Sequence, residues 1–265
     1  MALNARSHLF GVIGYEFLMQ LRRLSLWIAF GLLGALVIVA NSANYTPQDT
    51  NLPYTRYDIV VNRADGAAVL LALGVGLLLA DRLRRDRRNR VDEVLRTTPV
   101  ATSTRVLGKY AGAVAATLVP VTMVYLVSVA FLVAHYQDAS IIPVALSSFL
   151  TLVVPVVLFV GAFSIASTAV LWTPLYQFLF IGYIFWSFLP PGGPLPTLNG
   201  TLLSIQENYV LSGIFHFTGF RTGDAAYYPP SSVGLALASI GSLLACAAVA
   251  LLAACWYETW RGNHE

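Results

Sequence analysis

The sequence predicts an all-α membrane protein with six transmembrane helices in a single domain, and three observations carry that prediction. Only 11% of the 265 residues are charged, against 57% hydrophobic, where a soluble domain carries about 25% charged residues. The mean hydropathy is +0.69. The charges crowd into a few short segments and leave long uncharged runs that a soluble fold would have to expose. Lipid accepts such runs when every backbone group is paired internally, as in a helix. The net charge of +3 and the pI near 8.9 reflect one basic segment between apolar runs. That placement reads as membrane topology and not as the basic face that nucleic acid needs.

A spanning helix needs about 20 mostly apolar residues. The spans are expected over residues 24–40, 59–80, 106–134, 141–171, 175–189 and 233–257. The first follows Arg22-Arg23 and ends at Ala40-Asn41-Ser42, a passable signal-peptidase site. An apolar-rich segment precedes the basic pair, unlike the start of a signal peptide, so the run is read as a retained span. In that preceding segment, residues 6–22, Leu9, Phe10, Ile13, Phe17 and Leu21 recur at helical spacing among Arg6, His8, Glu16 and Gln20. This pattern predicts a helix lying in the interface. Pro120 and Pro155 mark kink sites in the two longest spans. Trp172, Trp186, Trp256 and Trp260 lie near span ends, where amphipathic rings favour the headgroup level. Cys246 and Cys255 fall on opposite faces of the last span and serve as small packing residues.

Of the 16 Lys and Arg residues, six spans leave only Arg56, Arg63 and Arg221 on one side. The positive-inside rule then places both termini and the basic loop, residues 81–105, in the cytoplasm, as expected of a multi-pass protein of the plasma (inner) membrane. Asp81 with Arg85, Asp86 with Arg90, and Asp92 with Arg96 are acid-then-base pairs at i,i+4, the order that supports a helix. Pro99 turns the chain by disfavouring a helical Thr98. Thr102 or Ser103 can cap the next helix, which leads into the third span.

The stretch DEVLRTTPVATSTRVLGKYAG resembles the cytoplasmic loop of permease subunits of type-two ABC exporters. In that family an acidic residue, a Leu and a Pro precede a short polar stretch and a Gly-Lys that opens the next span. The matching positions are Glu93, Leu95, Thr98, Pro99, Gly108 and Lys109. The segment GYEFLMQLRR, with Glu16 and Arg22-Arg23, is similar to the family's elbow helix. Asp81-Arg82 departs from the Glu-Arg of many relatives. The resemblance covers nearly the whole chain, and it is the order and spacing of loose motifs that carry it.

The resemblance implies half of a transmembrane pathway, paired with a second permease copy or homologue in the lipid membrane. A coupling helix near Thr97 to Thr104, with Thr102 and Arg105, would receive the power stroke of a separate ATP-binding subunit. ATP and magnesium would be bound there and not by this chain. The sequence has no G-x-x-x-x-G-K-[ST] loop: Tyr110 follows Gly108-Lys109.

Residues 190–230 are rich in Pro and Gly, and within them Thr201 to Phe217 suggests one or two short outer helices, dipping inward or lying as an ordinary loop. Ionisable residues inside the spans are almost absent. The polar candidates for lining a pathway are Gln177 and Tyr183, with the scattered serines read as interhelical packing. Three other classes compete. A secondary transporter would need intramembrane carboxylates or broken helices. An intramembrane enzyme lacks a His-Glu metal spacing or a serine with a histidine partner. A non-transporting membrane anchor fits the composition equally well.

Overall fold

The computed structural model describes residues 2–42, 55–80, 101–189, 195–217, 219, 228–262 and 264. Among them every regular element is helical: α1 (Ala2–Leu21), α2 (Leu24–Ser42), α3 (Arg56–Leu79), α4 (Thr102–Tyr136), α5 (Ile141–Ser148), α6 (Val154–Val170), α7 (Thr173–Ser187), α8 (Asn208–Ile214) and α9 (Val233–Gly262). A π-turn, Phe149–Val153, joins α5 to α6 into one long helix. Pro155 falls in the first turn of α6 directly after that π-turn, so its missing N–H and its ring are accommodated by the wider turn.

Four helices are long and apolar enough to cross a bilayer: Arg56–Leu79, Thr102–Tyr136, Ile141–Val170 and Val233–Gly262. Helices α1 and α2 are bent by 65° and count as a fifth if taken together. Helix α7 has 15 residues, about 22 Å of rise, short of a hydrocarbon core of ~30 Å. The protein is therefore an all-helical chain built for a lipid environment, with four to five spans by length and composition.

Helix α3 is the centre of the bundle. In its most apolar window 72% of the residues are buried, against 28% for α9, which packs on α6 and leaves most of its surface outward. The reason lies in side-chain size. Ala64, Ala67, Ala68 and Ala72 let α2, α5 and α6 approach the α3 backbone, as small residues do in membrane bundles. A Cβ at Gly74 would lie 2.5 Å from Leu33 Cδ1 of α2, and one at Gly76 would overlap the ring of Phe180 of α7. Hydroxyls cross-link the helices. Tyr125 Oη donates to the Ala145 carbonyl at 2.8 Å, and Ser164 Oγ meets Tyr176 Oη at 2.7 Å. Such bonds contribute roughly 0.6 kcal/mol each.

The bundle has two unlike ends. The proximal end carries the α1–α2 corner, Ala80 and the start of α4. The distal end carries the start of α3, the α4–α5 turn and residues 195–217. A capping box opens α3: Thr55 accepts from the Asp58 N–H while Asp58 accepts from the Thr55 N–H at 2.6 Å. This cap starts the helix at Arg56, so Arg63 and Asp65 are helical. Arg56 pairs with Asp138 at 3.1 Å, tying α3 to the α4–α5 turn.

Candidate functional site

At the proximal end α1 lies along the first turns of α4. The contact is made by two glycines one helical turn apart. A Cβ at Gly108 would stand 2.6 Å from Val12 Cγ1, and one at Gly112 would stand 2.7 Å from the Ile13 carbonyl oxygen and 2.8 Å from Glu16 Cβ. At Gly112 backbone therefore meets backbone and leaves no room for a side chain, while at Gly108 the α4 backbone lies against the Val12 side chain. Glu16 and Gln20 are both buried on α1. The sequence reading named Gly108 and Glu16 in separate motifs, and the structure brings their segments together. Arg22 and Arg23 form the corner between α1 and α2, which Trp27 Nε1 secures by donating to the Leu21 carbonyl at 2.8 Å.

Helix α4 begins at Thr102 with Ala101 as its N-cap and no side-chain cap. Neither Thr102 nor Ser103 plays the capping role expected of them. The Thr102 hydroxyl instead accepts from Arg105 Nη2 at 3.4 Å. Lys109 is half-buried on the same helix. Glu93, Leu95, Thr98 and Pro99 lie outside the described residues.

The distal end is organised by hydrogen bonds onto carbonyls. Tyr183 Oη of α7 donates to the Leu203 carbonyl at 2.7 Å, and Ser242 Oγ of α9 donates to the Leu202 carbonyl at 2.8 Å. Trp186 Nε1 reaches the Pro196 carbonyl at 2.6 Å. The segment so held is buried and not an open loop: Ile205, Val210, Leu211 and Phe217 are all in the core. Tyr183 also lines a cavity of about 220 Å³ with Phe159, Phe163, Tyr176 and Phe180. Gln177 sits half-buried on the same helix, away from the lining of that cavity.

The charges at this end correct the expectation that ionisable residues are almost absent from the spans. Arg63 is 2% exposed within α3, and its Nη1 donates to Ser128 Oγ of α4 at 3.2 Å. Asp65, two residues on, faces away from that contact and lines a cavity between α3 and α7. Glu207, in the connection between α7 and α8, is 1% exposed. Neither of its carboxylate oxygens has a hydrogen-bond partner among the described residues. Its backbone is left-handed, φ 46° and ψ 43°, a region that a residue with a Cβ enters at a cost. Burial, and then the negative charge of Asp65, push the Glu207 carboxyl well above the ordinary carboxylate range.

Hydropathy hid these residues. Arg63 and Asp65 fall inside the span expected over residues 59–80 but ahead of its apolar core, so Arg63 counts among the charges of the outer side and Asp65 draws no notice. The usable signal was Thr55 with Asp58, a capping pattern that moves the helix start ahead of both.

The α3–α7 cavity measures about 520 Å³ and is apolar except at Asp65. No protein-family model and no curated protein matches the chain. The site is thus known only by its own chemistry. Among the described residues no group of three or more His, Cys, Asp or Glu is placed to hold a metal ion. The arrangement offers a close backbone contact at one end and, at the other, a buried Glu207 and an apolar cavity headed by Asp65.

Proposed function

We propose that the chain is the membrane-spanning permease subunit of an ATP-driven ABC exporter, forming half of a substrate pathway. The observation that carries this reading is the docking of α1 on the root of α4 through Gly108 and Gly112. In this reading α1 is the elbow helix on the cytoplasmic membrane surface. Residues 81–105 supply the coupling helix, with Glu93 and Pro99 at its corner. Helix α2 and the short α7 complete six spans, with both termini cytoplasmic. A push on the coupling segment would reach α4 and α1 together, because their backbones touch. ATP and magnesium belong to a separate ATPase chain, and a second permease completes the pathway.

Co-purification in detergent with co-expressed P-loop ATPase candidates tests the proposal, with cysteine cross-links from position 102 locating the contact. Glu93→Ala and Pro99→Ala are expected to lower transport-coupled ATP hydrolysis while leaving membrane insertion intact. A chain that captures no ATPase, or variants with unchanged coupling, would sink it.

A second reading draws on one specific observation. Asp65, half-buried within α3, supplies an intramembrane carboxylate of the kind whose absence argued against an ion-coupled carrier. Transport by the purified chain alone, driven by an ion gradient without ATP, would favour that reading over the first.

A further inference from the structure

A carboxylate set among apolar side chains stays ionised only at a cost unless a counter-charge meets it, and Asp65 stands half-buried at the head of the α3–α7 cavity. Glu207 is 1% exposed and both of its oxygens lack a partner among the described residues. Its charge and that of Asp65 act on each other. Arg63, two residues before Asp65, donates to Ser128 of α4. Among the described residues no group donates to the Glu207 oxygens, and the Asp65 carboxylate heads a cavity that is otherwise apolar.

The shape of that cavity distinguishes between a proton and a cation as the partner of Asp65. Asp65 stands at its head, and Val69, Leu70, Leu73 and Leu77 continue down one face of α3 opposite Ile181 and Phe185 of α7. From Asp65 to Leu77 the helix rises about 18 Å, so the cavity is a long apolar groove with one charged end. A proton needs no groove. A neutral acyl chain would fill the groove but leave Asp65 without a counter-charge, and an anion would be repelled. A primary ammonium carries three N–H donors, which suits a carboxylate.

We propose that the α3–α7 groove headed by Asp65 is a binding site for a single-chain cationic amphiphile, its alkyl chain along Val69–Leu77 and its ammonium against Asp65. The proposal goes beyond the permease reading and does not depend on it, because binding is measured on this chain with no ATPase present.

The test uses the full chain in nanodiscs of zwitterionic lipid at pH 7.5, with dodecylammonium as the probe and dodecanol as its neutral counterpart. Saturable binding above that of empty nanodiscs is the readout. The wild type is expected to bind dodecylammonium saturably. Asp65→Asn should weaken it by about tenfold or more, the equivalent of one lost charge interaction, and Glu207→Gln by less. Leu73→Trp, which blocks the groove and leaves both acids in place, should abolish binding. Each variant is first checked for a wild-type elution profile and helical content. If Asp65→Asn misfolds, Leu73→Trp and the dodecanol comparison still decide.

No saturable binding by the wild type would overturn the proposal. Equal binding of dodecanol, or dodecylammonium affinity unchanged in Asp65→Asn, would overturn it in favour of a lipid-filled groove. Binding that survives Leu73→Trp would also overturn it.

Discussion

The two ends of the bundle are held by opposite means. At the proximal end α1 meets α4 by shape: glycine backbone against a carbonyl and a Cβ, at distances that leave no room for an added atom. At the distal end the chain between α7 and α9 is held by direction. Tyr183, Trp186 and Ser242 each donate to one of its carbonyls, and it buries a carboxylate that nothing described compensates. A shape contact has one good geometry and passes displacement on without loss. A hydrogen-bonded cap over an unpaired charge changes its stability with whatever neutralises that charge.

Breaking the proximal contact should have the largest effect. Gly112→Leu drives a side chain into the Ile13 carbonyl, and overpacking of this kind costs about 1–3 kcal/mol. Thermal unfolding in detergent should fall accordingly, and protease should cut α1 sooner. Gly241→Leu, where a Cβ would meet open space, serves as the control and should behave like the wild type. Equal behaviour of the two variants would show that the contact is not close-packed.

A smaller effect is expected at the distal end, and its sign depends on pH. The Glu207 carboxyl is raised by burial and by Asp65. Below the ordinary carboxylate pKa of about 4.3, folded and unfolded chains both hold the proton and the shift is silent. Above it the unfolded chain releases the proton and the folded chain keeps it, so stability falls as pH rises until the raised pKa is passed. Glu207→Gln removes this penalty. It should melt higher than the wild type near neutral pH, and the two should converge at low pH. A variant that melts lower at neutral pH would mean that the carboxylate is already paired.

How much of this was legible in the sequence follows from the same contrast. Apolar runs mark helix bodies, because burial in lipid is a matter of composition, and α4, α5–α6 and α9 lie where the runs lie. The Gly108-Lys109 motif was visible, but its partner was not: Gly112 is one more glycine until α1 is known to lie against it. The distal site was illegible because Glu207 belongs to a segment too polar for a span and too apolar for a loop. Its burial depends on how that segment is held, with hydrogen bonds from α7 and α9 onto the carbonyls of Pro196, Leu202 and Leu203. Gln177 stood out as a polar residue among aromatics, yet its position away from the cavity lining depends on helix rotation, which α7, apolar nearly all round, leaves open.

The smallest expected effect sharpens the comparison from the solvent side of the same distal end. Asp138, in the α4–α5 turn, accepts from the Ser140 N–H at 2.9 Å and pairs with Arg56 at 3.1 Å. The Ser140 hydrogen bonds, and then Arg56, hold its carboxyl below the ordinary carboxylate range. The sign is opposite to that of Glu207. Its contribution is present above the unfolded pKa and is lost as pH falls through the lowered folded value. The pair is open to solvent, so salt should screen it. Asp138→Asn should therefore lower the melting temperature slightly at neutral pH and low salt, with the difference vanishing in acid or high salt. Two carboxylates at one end of one bundle would then titrate in opposite senses, one favoured by its partners and one penalised by burial. A double variant, Asp138→Asn with Glu207→Gln, should show the sum of the two pH profiles. Departure from additivity would mean that the α4–α5 turn and the α7–α9 connection move as one unit.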